Sequence, residues 1–405
     1  MKNLFKKYNN GEPCPHKGRL NHMTHPCEGC GRTVGRYVKH ILVFSPCFSH
    51  PQIGGNIKYI HNICKTLKDQ GHEIHFIWYK LFNHNIPNIK AMAAEWNSVE
   101  IHDYINIPDT NKKPSNGEYF TVDEWFVDNF EINLNFKPDI VIANYVFTSK
   151  IFEYFPDALK ILLTHDKLGG RAERQKSLNI HPDFFYTNEE QESIALNRAD
   201  RVIAITNEEK EYFSNLTNRP VYTVSHIEES NFIKKDYKEI KKIGFIGSFS
   251  SMNIEGLKYF LNACGDLLVK NNISVHLVGG ICNALDRFTQ INKNLTLVPE
   301  GFVDNLDSFY EQMDCFISTP VFGDGQNIKS VEAISRGVPL IATESAFKGI
   351  DKTYYDYRIG FNIRRVLKNT IYNPERNLKE MAYISKRLFE DYNQKQINNL
   401  LDVIE

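Results

Sequence analysis

Short apolar runs alternate with amphipathic helical stretches twice over in this chain, first from about Tyr37 and again from about Lys242. Such alternation dictates a parallel sheet covered by helices, because a strand can only rejoin its neighbour in parallel through a crossover. In the first series His40–Phe44 reads as a buried strand. A loop with Pro46, Pro51, Gly54 and Gly55 follows, then a helix from about Asn56 to Gln70 with Ile57, Ile60, Cys64 and Leu67 on one stripe. Gly71 ends that helix, and Glu73–Tyr79 returns as a strand. Further strands are expected at 139–143, 159–163, 201–205 and 221–224. The segment from Phe82 to Glu131 is irregular, aromatic and polar, the profile of a lid or binding loop.

The second series starts after a polar, charged, aperiodic stretch (228–240) that reads as a linker. Strands are expected at Lys242–Gly247, Ser274–Val278, Leu295–Val298, Cys315–Ser318 and Pro339–Ala342. Helices are expected at Asn253–Leu268, Asp304–Met313 and Asn327–Arg336, the last closed by Gly337. A wholly helical tail runs through Leu378, Met381, Leu388, Leu400 and Leu401. The division is therefore an N-terminal extension (1–36), a first α/β domain (37–227), the linker (228–240), a second α/β domain (241–373) and a helical tail (374–405). A chain of 405 residues has room for two cores.

Totals exclude some classes. The formal net charge is −1, with charged residues at 24%, so no basic surface for nucleic acid is expected. No apolar run is long enough to cross a bilayer and no signal-peptide core follows the start, so a cytoplasmic protein is expected. The basic opening Met1–Lys7 reads as a frayed terminus, with contact to an anionic membrane face as the other reading. Cys47, Cys64, Cys264, Cys282 and Cys315 fall in or beside apolar segments and are expected as reduced core residues.

The segment Phe322–Ala333 carries the most chemistry. A glycine-rich loop runs into a helix, and Lys329 and Glu332 fall three apart, on one helical face. Loop amides and a helix N-terminus attract an anion, Lys329 adds positive charge, and the Glu332 carboxylate accepts hydrogen bonds from hydroxyls. Gly323 and Gly325 could instead make only a turn, with Lys329 and Glu332 a solvated ion pair. Position favours a ligand role, since open α/β sheets bind ligands beyond the carboxyl ends of their strands. Gly247-Ser248-Phe249-Ser250 follows the first strand of the second half, where small residues let amides approach a phosphate. It is not G-x-G-x-x-G, and Gly279-Gly280 supplies no acid for a ribose, which argues against a dinucleotide site. A tight strand-to-helix turn is the other reading of that stretch. Gly54-Gly55 holds the equivalent place in the first half, where it could let a substrate lie against the backbone or make a plain connection. Thr164-His165-Asp166 lies just past a strand end, where an imidazole can bond a sugar hydroxyl or polarise a reacting group. Arg171 and Arg174 suit an anionic acceptor or plain solvation. Cys14 and His16, followed by Cys27-Glu28-Gly29-Cys30, suggest a structural zinc knuckle, with His22 or His25 as rival fourth ligands. An unliganded extension is the alternative.

These positions together resemble the nucleotide-sugar glycosyltransferases of the GT-B fold, specifically the large retaining family 4, the glycosyl transferases group 1. The residues are Ile243–Ser248 with Asn253–Leu257, then Gly323–Ala333, Gly337–Thr343 and Gly349-Ile350. The likeness spans roughly residues 37–405. It implies two facing Rossmann-like domains, with a C-terminal helix crossing back onto the first. It implies a donor site on the second domain formed by Gly247, Ser248, Phe302, Val303, Gly325, Gln326, Asn327, Lys329, Ser330 and Glu332, with Gly54 and Gly55 closing over the diphosphate. Glu332 matches the family carboxylate that holds the donor ribose. Asp324 stands where a longer glutamate facing the donor sugar is usual, and the basic residue usual after the second domain's opening strand is absent, so Lys329 takes the phosphate contact. His165, Asp324 and Lys329 are the expected catalytic residues. The implied reaction moves a sugar from a nucleotide-sugar donor to a saccharide or lipid-linked acceptor with retention, needing no metal, in surface-polysaccharide synthesis at the inner face of the membrane. The rivals are a GT-B nucleotide-sugar epimerase and a non-catalytic sugar-nucleotide-binding protein.

Overall fold

The computed structural model describes residues 38–81, 87–103, 117–126, 131–177, 179, 181–182, 185–303, 305–321, 325–350 and 362–405. The cysteine-bearing extension, with Cys14, His16, Cys27 and Cys30, lies outside the described residues, as do Phe322, Gly323 and Asp324.

The chain opens with β1 (His40–Ser45), buried from Ile41 onward. α1 (Gly55–Asp69) follows. It buries Tyr59 and Ile63 as well as the expected stripe, because it is covered from more than one side. β2 (Glu73–Tyr79), α2 (Ile89–Glu95) and β3 (Ser98–His102) come next. β4 (Ile140–Asn144) and β5 (Leu159–Leu163) are separated by a 3-10 stretch, Val146–Tyr154. α3 (Arg171–Ser177), α4 (Glu189–Arg198), β6 (Arg201–Ala204), α5 (Asn207–Ser214) and β7 (Val221–Thr223) complete the first domain. Its seven strands are parallel and ordered β3-β2-β1-β4-β5-β6-β7.

The segment read as an irregular lid differs from that expectation. It contains α2 and the edge strand β3, and its Phe120, Val122 and Trp125 are buried in the core on one face of the sheet. Of its described aromatic residues, Trp96, Phe120, Trp125 and Phe126 are core packing. The presumed linker is also anchored. No helix or strand forms between β7 and the next strand, yet Ile227, Ile233, Tyr237 and Ile240 are buried in the domain cores.

The second domain runs β8 (Lys242–Ile246), α6 (Ser251–Lys270), β9 (Ser274–Val278), α7 (Leu285–Thr289), β10 (Leu297–Gly301) and α8 (Leu306–Gln312). It continues with β11 (Cys315–Ser318), α9 (Ile328–Ser335), β12 (Leu340–Ala342) and α10 (Ile363–Tyr372). Its five parallel strands are ordered β10-β9-β8-β11-β12. The long α11 (Pro374–Ile404) starts with proline in its first turn, where the missing N–H costs nothing. Leu378 and Met381 enter one core of the second domain, and Leu388, Phe389 and Tyr392 the other. Leu400, Val403 and Ile404 enter the first domain. One helix therefore packs in three of the four cores and joins the domains by apolar burial. The chain has the GT-B architecture of two Rossmann-like domains bridged by a returning C-terminal helix.

Candidate active site

Each sheet reverses its winding beside its first strand, between β1 and β4 in one domain and between β8 and β11 in the other. The crevice beyond the carboxyl ends at such a switch point is where open α/β sheets bind ligands. Here the two switch points face each other. A Cβ placed on Gly55, after β1, would lie 2.2 Å from Ile328 Cδ1 at the start of α9. Gly55 is the residue that permits this approach.

On the second domain a crevice opens between α6 and α9, lined by Met252, Asn253, Gly256, Thr319, Asn327 and Lys329, with Phe245, Ser318 and Pro320 completing its wall. Ser250 caps α6 and Asn327 caps α9, so two helix N-termini converge there. Lys329 Nζ donates to Asn253 Oδ1 at 2.6 Å across the crevice. Burial pulls its ammonium down to about 8, against the attraction of Glu332. A partly buried lysine between two helix N-termini, with no carboxylate in its hydrogen-bond shell among the described residues, is arranged for an anion.

Glu332 lies one turn beyond Lys329 and carries a partner the sequence did not suggest. Lys58 of α1 reaches across the interface and donates to Glu332 Oε1 at 2.5 Å. The same Nζ is 2.8 Å from Glu228 Oε1, an ion pair lacking hydrogen-bond angles. The three side chains are only 18%, 12% and 6% exposed for Lys58, Glu332 and Glu228. Burial works to lower the Lys58 pKa, but the two carboxylates outweigh it and hold it above its usual value. Burial pushes the Glu228 carboxyl up, Lys58 opposes this, and Glu332 adds to it.

The other expected donor residues divide. Ser330 Oγ turns inward to Ser318 Oγ at 3.0 Å. Gln326 takes the His226 backbone N–H at 3.0 Å and donates to Tyr392 of α11 at 3.0 Å, tying the loop to the hinge and the returning helix. The Gly247 amide donates to Val278 O at 2.9 Å, so its own N–H serves the sheet. Asn253 Nδ2 donates to Ser248 O and Oγ, each at 3.0 Å, shaping that turn. A Cβ on Gly325 would meet open space. Phe302 is exposed at the end of β10, and Val303 is packed against the core.

His165 follows β5 and is buried, with a left-handed φ of 64°. Tyr145, following β4, has φ 71°. Left-handed backbone is costly for residues other than glycine, and it clusters at functional sites. The Tyr145 ring stacks on His165 with centroids 4.1 Å apart, and Tyr59 meets the imidazole edge-on at 5.4 Å. Asn144 Nδ2 donates to Phe44 O at 3.1 Å, so its Oδ1 faces His165 Nε2 at 2.8 Å. That places the proton on Nε2 and leaves Nδ1 the acceptor. Burial lowers the imidazole pKa to about 3, so the ring is neutral. Asn56, next to Gly55, donates to Tyr145 OH at 2.9 Å, joining this group to the interface. The arginines expected for an acceptor anion have protein partners. Arg171 pairs with Asp166, and Arg174 donates to the carbonyls of Gly169 and Lys167.

Residues 240–366 match the family model for glycosyl transferases group 1, a span covering the second sheet and the crevice. Solved structures of three proteins share the whole architecture. A Staphylococcus aureus TarM variant, bound to Fondaparinux, alpha-GlcNAc-glycerol and UDP, has TM-score 0.61 at 13% identity, over 91% of this chain and 100% of that one. HepE from Anabaena, bound to UDP and glucose, has TM-score 0.56 at 15% identity, over 90% and 97%. Sucrose-phosphate synthase from Thermosynechococcus elongatus has TM-score 0.55 at 13% identity, over 90% and 97%. No curated protein matches the chain in sequence. At these identities the structural likeness establishes the fold. The chain has the GT-B fold, and its second domain matches the glycosyl transferases group 1 model. Among the described residues no helix is long and apolar enough to cross a membrane.

Proposed function

We propose that this protein transfers a hexosyl group from a nucleotide-sugar donor to a saccharide or lipid-linked acceptor, with retention of anomeric configuration. The observation that carries the reading is Lys329, partly buried between the N-termini of α6 and α9 with Glu332 on the next turn. The lysine suits a diphosphate and the carboxylate suits ribose hydroxyls. The binding of UDP by HepE and TarM makes a nucleoside diphosphate the natural first ligand to try.

In this reading the donor lies along the crevice with its sugar toward Gly55 and the His165 group, and the acceptor enters over the first domain. His165, fixed with Nδ1 as acceptor, can orient a hydroxyl without taking a full proton at neutral pH. The leaving diphosphate receives the acceptor's proton on the same face, and Lys329 with the helix N-termini stabilises the charge that develops on it. Asp324 would face the donor sugar. None of these steps needs a metal, and a zinc held by Cys14, His16, Cys27 and Cys30 would be structural. Surface-polysaccharide assembly at the inner face of the membrane is the setting proposed, the basic Met1–Lys7 supplying the membrane contact.

Thermal-shift screening against UDP and a panel of nucleotide sugars tests donor binding, since a ligand selective for the fold raises apparent stability. Turnover with Glu332→Ala tests the site. Donor affinity falls and most transfer is lost. Unchanged kinetics would remove Glu332 from the donor site, and donor binding without hydrolysis or transfer to any acceptor would favour a non-catalytic binding protein.

A further inference from the structure

A second group of side chains, where α1 meets α2 and the loop before α1, has chemistry that the transfer reaction does not use. His50 lies in the loop between β1 and α1, His61 on α1, and Glu95 ends α2. His50 Nε2 is 2.6 Å and His61 Nε2 3.1 Å from the same oxygen, Glu95 Oε2. The His50 and His61 side chains are 10% and 11% exposed. The rings meet edge to face at 4.9 Å, with Trp96 against both.

The surrounding hydrogen bonds decide where the protons sit. Asn62 Nδ2 donates to Ile227 O at 2.7 Å, which fixes its amide. Its Oδ1 therefore faces His61 Nδ1 at 3.0 Å, and an amide oxygen only accepts. The His61 proton is on Nδ1, and in the neutral ring Nε2 presents a lone pair to the Glu95 carboxylate. Two acceptors 3.1 Å apart in a mostly buried place require a cation between or on them. For His50, Ser49 Oγ accepts from Trp96 Nε1 at 2.8 Å and lies 3.0 Å from His50 Nδ1. The hydroxyl can either donate to or accept from that nitrogen, so His50 can offer its Nε2 lone pair with its own proton on Nδ1.

We propose that His50, His61 and Glu95 bind a zinc-class divalent cation, through the two Nε2 atoms and one carboxylate oxygen, with the fourth position open to water. Two imidazoles and a carboxylate are an established ligand set for zinc. Tetrahedral ligands about 2.0–2.1 Å from the metal stand about 3.3 Å apart, so 3.1 Å already suits and the His50 contact opens by under about 1 Å. Each ligating ring is held at its other nitrogen by an oxygen, Ser49 Oγ or Asn62 Oδ1, the arrangement that orients histidine ligands. Lys68 is the nearby competing charge. It donates to the Glu95 carbonyl and stands 5.9 Å from the Trp96 ring centroid, leaving Glu95 Oε2 to the imidazoles. The ion would join α1, α2 and the loop leading to Gly54-Gly55, clamping the strip of chain that faces the second domain.

The test is zinc content by mass spectrometry and zinc affinity by competition with a chromophoric chelator. It uses the full chain with Cys14, Cys27 and Cys30 all changed to serine, so that the extension contributes no thiolate. One equivalent is expected, lost in His61→Ala and in Glu95→Gln. His40→Ala keeps it, since it alters only the separate His40, Glu73 and His75 group. Asn62→Leu, which touches no metal ligand atom, weakens zinc about 10- to 100-fold. Circular dichroism confirms that each variant is folded, and cobalt substitution gives a visible spectrum without thiolate charge-transfer bands. A chain that binds no zinc overturns the proposal. Zinc binding unaffected by His61→Ala and Glu95→Gln overturns it as well. Neither result bears on sugar transfer.

Discussion

Lys58→Met removes the one ammonium that stands between Glu228 and Glu332 at the domain interface. Its length and apolar stem are kept, so packing changes little. Two carboxylates are left close together and mostly buried, at 6% and 12% exposure. Deleting one member of a buried charge group leaves the other uncompensated and costs about 3–5 kcal/mol. The cost depends on pH in a determined direction. Burial holds the Glu228 pKa above its usual value in the fold. A carboxyl raised in this way favours the fold below its unfolded pKa and loses that contribution as pH rises through the folded pKa. Lys58 opposes the rise, so without it the Glu228 pKa climbs further. The variant's deficit is therefore small near pH 5 and grows toward pH 8. Urea unfolding followed by circular dichroism at pH 5, 6.5 and 8 measures it, and adding Glu332→Gln to Lys58→Met recovers part of the loss at pH 8. A deficit below about 1 kcal/mol, or one equal at pH 5 and pH 8, would refute the reasoning, since an exposed pair is worth no more than that.

Lys329 is held down to about 8 by burial, so it loses its charge on passing from pH 7 to pH 9. Affinity for a nucleoside diphosphate falls across that window by up to about tenfold per pH unit, and Lys329→Gln abolishes the slope; calorimetric titration at several pH values reads both. Leu400→Ala costs about 2–5 kcal/mol in the first domain's unfolding although it lies at the far end of the tail, because the side chain is completely buried there. Metal analysis of the unmodified chain distinguishes the two zinc assignments, since changing Cys14, Cys27 and Cys30 to serine removes one equivalent if the extension binds metal. Asn144→Leu removes the oxygen that fixes the His165 tautomer, and kcat falls more than donor affinity; an unchanged kcat would show that the tautomer does not matter to transfer.

The two parallel sheets were legible because strands buried on both faces read as near-continuous apolar runs, as in Ile41–Phe44 and Ile140–Ala143 in the first sheet and Cys315–Ile317 in the second. The helix from Asn327 was legible from its cap and from Gly337, which takes φ 63° at its end. Elements whose burial is one-sided or brief were not. α2 and β3 hid in an aromatic segment, since β3 is an edge strand with only intermediate or exposed positions and α2 buries only Met92. At the site, the Lys329–Glu332 spacing could be read along one helix. Lys58 could not, because its role depends on how two domains face each other, and no periodicity within α1 encodes a partner 274 positions away. The resemblance implies Gln326 and Ser330 as donor contacts, and the structure gives each side chain a protein partner that no local pattern encodes.

The ties between the domains are of two kinds, and the difference bears on how such a site opens. Along α11 they are apolar and completely buried at Leu400 and Val403, and breaking them exposes core. Through Lys58 the tie is ionic and ends on Glu332, the carboxylate proposed for the donor ribose. A ribose diol and an ammonium compete for the same lone pairs, so donor binding would exchange the Lys58 contact for a ligand contact. Lys58 need not then be left unpaired, because Glu228 stands 2.8 Å from it and belongs to the hinge segment. Glu228 is itself held by Asn393 of α11, through a backbone N–H at 3.0 Å and a carbonyl at 2.8 Å. The charge released by the donor would thus pass to a residue fixed on the returning helix. The interface could loosen at Glu332 without the domains separating at α11.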